Sequence, residues 1–171
     1  MSEKVKKKST KKVGLGPPKI RPAKSRLSVG AQTVHQVLIS HNIINHLEYT
    51  LGNHCKDKKP LPYDFQVIVN GRVGLIEYDG EQHFKFPSKF HTTGSAFDKQ
   101  RKHDRLKTQT AYDENLSLLR LAYDIPMQHL EKIVLTFLDE MKSGKSIYRF
   151  CSVNSKLYDY LPNPKQDCCI M

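Results

Sequence analysis

The stretch LPYDFQVIVNGRVGLIEYDGEQHF, residues 61–84, decides the fold. Two β-rich runs flank Asn70-Gly71, the dipeptide best suited to a two-residue type I′ turn, because both turn residues must take positive φ. The spacing predicts strand 63–69 antiparallel to strand 72–79, with Val69 opposite Arg72. Carried along the hairpin, that register sets Asp64 opposite Glu77. Side chains on a strand alternate with period two, so Asp79 shares the face of Glu77. Three carboxylates are thus expected to converge near the open end of the hairpin.

Directly opposed acids, with β-carbons about 5 Å apart, destabilise a sheet. A divalent cation between them removes the penalty. An all-oxygen ligand set of Asp64, Glu77 and Asp79 suits Mg²⁺ or Mn²⁺, which bind through one or two carboxylates plus substrate phosphate. The alternative is that these acids are solvated or paired with Lys or Arg. Gly80 permits a sharp exit from the strand, so that Gln82 and His83 turn back toward the site.

Outward from the hairpin the chain alternates helix and strand. Ser28 opens an amphipathic helix over 29–41, with Ala31, Val34, Val37 and Leu38 at helical spacing, and 43–51 reads as extended. A longer helix is predicted over 96–113, with Ser95 as N-cap and Asp98 at the third position. NLSLLRLAY, residues 115–123, reads as a buried strand. Pro126 then opens a helix carrying Leu130, Ile133, Val134, Phe137, Leu138 and Met141 on one stripe, stopped by Gly144. This order predicts an α/β domain: a mixed β-sheet with a central antiparallel hairpin flanked by helices.

On the 96–113 helix, Phe97, Gln100, Asp104, Lys107 and Ala111 share one face. An inward acid and lysine between apolar anchors imply either an ion pair with each other or a place in the site beside the carboxylates. Around them, Lys85, Lys89, Lys99, Arg101, Lys102 and Arg105 form, with Lys107, a local excess of positive charge suited to phosphate backbones. His83 or Lys107 would position or deprotonate an attacking water, or neutralise charge developing on phosphate.

The charge distribution bounds the partners. The 171 residues carry +11, of which residues 1–27 hold +9 and residues 28–171 only +2. Residues 1–27 therefore read as a disordered basic arm, serving phosphate contact, nuclear import or solubility. No apolar run approaches the roughly 18 residues of a membrane helix, and no secretory signal is seen. The expected location is inside the cell, nuclear or cytoplasmic with DNA. Cys55, Cys151, Cys168 and Cys169 lack C-x-x-C spacing and read as reduced thiols rather than a zinc site. Residues 28–145 are taken as the domain, and 146–171 as a C-terminal extension ending in Cys168-Cys169-Ile170-Met171. That ending fits a C-a-a-X prenylation signal on Cys168, which with a second signal would bring the chain to a membrane.

An Asp opening one strand, a hairpin, and Glu-x-Asp on the next resembles the PD-(D/E)XK (restriction-endonuclease-like) nuclease motif. The ordered blocks LPYDF, IEYDGEQHF, HDRLKTQTAY and LSLLRLAY, with Ser28 and Cys55, are similar to a branch related to very-short-patch-repair and homing-type endonucleases of phages and large DNA viruses. The resemblance spans roughly residues 28–125. It implies a restriction-endonuclease-like fold and Mg²⁺-dependent hydrolysis of DNA phosphodiesters, with metal on Asp64, Glu77 and Asp79. Gln82, His83, Asp104 and Lys107 would complete the active site of a monomer or homodimer. Two departures stand out: Asp79 occupies the place of the motif lysine, and Ala31 and Gln32 stand where a first-helix glutamate is frequent. A non-catalytic nucleic-acid-binding protein on the same fold is the alternative.

Overall fold

The computed structural model describes residues 27–90 and 92–162. Among them are helix α1 (Val29–Ser40), strands β1 (Ile44–Thr50), β2 (Pro62–Val69) and β3 (Arg72–Asp79), helix α2 (Gly94–Asp113), β4 (Ser117–Ala122), α3 (Met127–Met141) and β5 (Tyr148–Cys151). The strands form one mixed sheet in the order β1-β2-β3-β4-β5. The first three are antiparallel to their neighbours, while β3, β4 and β5 run parallel. The basic arm up to residue 26 and the Cys168 motif lie outside the described residues.

The hairpin closes as its turn chemistry dictates. Asn70 and Gly71 both take positive φ, 50° and 75°, and the ladder runs from Val69↔Arg72 to Phe65↔Ile76. Helices cover both faces. Val34 and Leu38 of α1 pack with the α3 stripe over Phe65, Val67, Ile76, Leu119 and Leu121. All six stripe residues of α3 are buried. On the other face, Ala111 of α2 packs with Leu75, Leu118, Phe150 and Tyr158. Burying both faces makes β4 apolar, as parallel strands require, except for Ser117 at its start and Arg120 in its middle.

Local chemistry fixes the helix starts. Ser28 Oγ accepts the Ala31 N–H at 3.2 Å, the expected cap of α1. The cap of α2 is Thr93, not Ser95: its hydroxyl accepts the Ala96 N–H at 3.3 Å, and Gly94 and Ser95 become the first turn. Gly30 is a contact glycine, because a β-carbon there would fall 1.9 Å from the Tyr78 ring.

Two further expectations change. The break placed after residue 145 falls inside the sheet, since Tyr148–Cys151 pairs with β4 and Tyr158 is fully buried in the core. And the hairpin alternation does not continue through Asp64. Phe65 and Val67 enter the α1/α3 core, whereas Tyr63, also odd-numbered, belongs to the α2 side. The neighbouring strand is irregular at the same level, with Glu48 at φ 48° between the paired residues Leu47 and Tyr49. As the ladder ends, Asp64 Oδ2 accepts the Tyr78 N–H at 2.8 Å. The carboxylate takes a main-chain donor that continued pairing would have used.

Candidate active site

The polar side chains sit on the α2 face of β3 and β4, in two adjoining halves. The buried half centres on Arg120. In the parallel register Arg120 lies beside Glu77, and its guanidinium reaches across to Asp79 with two bonds, Nε to Oδ2 at 2.8 Å and Nη2 to Oδ1 at 2.6 Å. This planar two-point grip is the geometry for which guanidinium is best suited. Arg120 also donates to Thr108 Oγ1 at 3.2 Å and lies 3.2 Å from Asp104 Oδ1. Tyr158 and Tyr160 donate hydroxyls to Asp79 and Asp104, each at 3.0 Å. His83 Nδ1 stands 3.0 Å from Asp104 Oδ2 and 3.3 Å from Asp79 Oδ1, and Gln100 donates to Asp104 at 3.2 Å.

Electrostatics follow from this packing. Burial raises Asp104, but Arg120, His83 and Lys107 more than offset it and hold the carboxyl below the usual range. Burial lowers His83, yet Asp79 and Asp104 outweigh it and favour the imidazolium. Asp79, His83 and Asp104 have ligand atoms within 4.8 Å of one another. Arg120 already serves as cation to both acids, so this half is a closed ionic network.

The open half holds Asp64, Glu77 and Lys107. Together with Leu61, Pro62, Tyr78, His83, Gln100 and His103 they line a cavity of about 270 Å³. Lys107 forms an ion pair with Glu77, and Asp104 pairs with Arg120 and His83, in place of the i,i+3 Asp104–Lys107 pairing considered from sequence. Burial, reinforced by Asp64, pushes Glu77 up to about 7 despite Lys107. Asp64 is raised as well, first by burial and also by Asp79, against the pull of Lys107 and the Tyr78 N–H. Two carboxylates, both raised chiefly by burial, thus face one cavity with Lys107.

The seven residues expected in the site divide accordingly. Asp64, Glu77, His83 and Lys107 border the cavity. Asp79 and Asp104 lie behind it, on Arg120. Gln82 is turned away: its amide folds over Gly80, where a β-carbon would meet it at 2.4 Å, and it lines a separate cavity of about 600 Å³ with Lys85, Lys89 and Phe90. Four of the six expected phosphate-binding cations have partners within the chain. Lys85 pairs with Glu81 at 2.6 Å, and Lys102 with Asp57 at 2.8 Å. Arg101 lies over the rings of Phe97 and Tyr160 at 4.9 and 4.4 Å, and Arg105 Nε donates to Tyr160 O at 3.0 Å. Lys89 and Lys99 are exposed.

Arg120, Tyr158, Tyr160, His103 and Asp57 were not anticipated as site residues. For Arg120 the signal was present: an arginine in the middle of an otherwise apolar strand must find buried acids.

Fold and site together define a mixed α/β protein whose five-stranded sheet carries a buried, carboxylate-rich ionic site beside a cavity. "Uncharacterized protein 307L" of Invertebrate iridescent virus 6 is 38% identical to the chain over 61 residues, 34% of this chain and 31% of that protein. The chain thus spans about a third of the length of the curated relative it matches. No family model and no solved structure matches.

Proposed function

We propose that the protein is a metal-dependent endonuclease of restriction-endonuclease-like fold that hydrolyses DNA phosphodiester bonds. The observation that carries the reading is the charge imbalance at the cavity. Among the described residues, four carboxylates, Asp64, Glu77, Asp79 and Asp104, face three cations, Lys107, Arg120 and the His83 imidazolium. A single divalent ion on Asp64 and Glu77 would supply the missing positive charge and offset the burial that raises both carboxyls. The donor set is all oxygen, which fits Mg²⁺ or Mn²⁺. Asp79, whose oxygens are both bonded to Arg120, stands behind this pair, in the Asp79, His83 and Asp104 group that could also hold an ion. The mixed sheet with its antiparallel β2–β3 hairpin supports the fold reading.

Such an ion supplies polarisation of the scissile phosphate and a more acidic attacking water. The chain's own groups do the remainder. Lys107 and the His83 imidazolium place positive charge where the phosphorane develops negative charge. The Arg120 network keeps β3 and α2 at fixed separation, so that Asp64, Glu77 and Lys107 meet. DNA is the proposed partner, with Lys89 and Lys99 as exposed phosphate contacts and the basic arm as a further one. Prenylation of Cys168 is proposed on the C-a-a-X ending alone. No helix among the described residues is long and apolar enough to cross a membrane.

The test is incubation of the full chain with supercoiled, linear and branched DNA in Mg²⁺, Mn²⁺ or EDTA, beside Asp64→Asn. Asparagine retains an oxygen for the Tyr78 N–H. Metal-dependent cleavage lost in the variant is the expected result; no cleavage of any substrate favours a binding-only protein.

A further inference from the structure

Hydrolysis requires a group that accepts the proton of the attacking water. Neither candidate named from the sequence is a free base: Lys107 is ion-paired with Glu77, and Asp79 and Asp104, which hold His83 Nδ1, favour the imidazolium, which has no lone pair to accept a proton. A third basic side chain borders the same cavity. His103 projects from α2 one turn before Lys107 and lines the cavity with Asp64, Glu77 and Gln100.

His103 is held from behind. Its Nε2 lies 3.2 Å from Asp57 Oδ2, with both side chains 21% exposed. Asp57 sits on a tight loop: Lys56 and Pro60 form a β-bridge, the Asp57 N–H donates to Lys59 O at 3.2 Å, and Leu61 N–H closes onto Cys55 O at 2.9 Å. Lys102 takes the other carboxylate oxygen at 2.8 Å. Hydrogen bonds from Lys102 and then His103 hold Asp57 down at about 2, so it is an acceptor at neutral pH. An ionised carboxylate accepts only, so Nε2 of His103 carries the proton and, in the neutral ring, Nδ1 carries the lone pair. A carboxylate that fixes the tautomer of an imidazole bordering a reaction cavity is the arrangement expected behind a general base.

We propose that His103, oriented by Asp57, is the proton acceptor of the hydrolysis; the inference rests on the nuclease reading above. Nδ1 takes a proton from water as the water oxygen bonds to phosphorus. The bond from phosphorus to the leaving sugar oxygen breaks with its electron pair, solvent protonates that oxygen, and His103 returns its proton to solvent. Asp57 is a positioning residue. The charged and titratable groups bordering the same cavity are Asp64, Glu77 and Tyr78 from the sheet, His83 from the turn after β3 and Lys107 from its own helix, while Asp57, with Lys102 on it, holds the ring from behind. If His103 merely pinned the 55–61 loop to α2, it would matter for stability and not for proton transfer.

The experiment uses the full chain with plasmid DNA in saturating Mg²⁺ under single-turnover conditions. Wild type is assayed first, with Asp64→Asn as the inactive control. His103→Ala is expected to lower the cleavage rate by about 100-fold or more, the ordinary contribution of a general base. DNA affinity should be unchanged, and added imidazole should restore part of the rate. His103→Gln, which keeps a polar side chain of similar reach, should be as slow as alanine and should not flatten the melting curve. The rate should lose its rise with pH in both variants. By ¹⁵N NMR the His103 ring should be the Nε2–H tautomer, and Asp57→Asn should disturb it and slow cleavage. Wild-type rates in His103→Gln overturn the inference while leaving the nuclease reading intact. Rate loss in both variants that tracks loss of folding, with no imidazole rescue, overturns it too and makes His103 a loop pin. A wild type that cleaves nothing removes the nuclease reading first, and this inference with it.

Discussion

Replacing Arg120 by methionine removes the cation from two buried acids while keeping an apolar chain of similar length. Arg120 is 0% exposed, as are Asp79 and Asp104. Wild type holds the guanidinium by two bonds to Asp79, two contacts to Asp104 (carboxylate and main-chain oxygen) and one bond to Thr108. Breaking one side of a buried ionic pair costs about 3–5 kcal/mol, since the stranded charge keeps its desolvation penalty. For a folded region of this size that is a fall in Tm of roughly 10–20 °C. Replacing both partners should cost less than the separate changes together. Asp79→Asn retains an acceptor for Tyr158, and in Arg120→Met/Asp79→Asn no stranded charge remains at position 79. Chemical denaturation of the four species gives the coupling, expected at about 1.5 kcal/mol or more. Arg120→Met costing under about 1 kcal/mol, or strict additivity in the cycle, would refute the view that this network holds β3 to α2.

Three further outcomes follow from named contacts. Glu77 has a folded pKa raised from 4.5 to about 7, so without metal its contribution to stability is present below 4.5 and is lost as pH rises to 7. Glu77 should contribute at most about 3 kcal/mol of weakening across that window in EDTA, measured by urea titration, and Glu77→Gln should be shallower there than wild type, with Asp64 and His83 leaving a residual slope of the same sign. Asp104 is held below the usual range, so its contribution is present above the unfolded value of 3.8 and lost as pH falls below it; Asp104→Asn should show a shallower acid limb in a pH-dependent melting series. Gly30→Ala should lower Tm sharply, because the new methyl meets the Tyr78 ring and α1 must lift from β3.

The hairpin, the α1 cap and the α3 stripe were legible because each is written in local spacing: Asn70-Gly71, Ser28, and six apolar residues on one helical face. The carboxylates were legible as a group, but their division into two halves was not. Period-two alternation carries Asp64 to Glu77 only if the ladder persists, and it ends at Phe65↔Ile76. The ion partners are set by tertiary contact: Arg120 reaches Asp79 from the adjacent strand 41 residues on. Tyr158 and Tyr160 come from a segment read as an extension, since four residues of β5 are too few to show alternation beside aromatic neighbours. Asp57 lay in a lysine-rich loop whose charge disguised it, and its pairing with His103 depends on the bridge between Lys56 and Pro60.

The central claim is that Asp64 and Glu77 together hold the divalent ion that hydrolysis needs. Titration of the full chain with Mn²⁺, followed by electron paramagnetic resonance, measures it directly. One Mn²⁺ bound by wild type, competed by Mg²⁺, and lost in both Asp64→Asn and Glu77→Gln with folding intact, is the predicted result. Undiminished Mn²⁺ binding in the two folded variants, or none in wild type even with DNA present, would contradict the account.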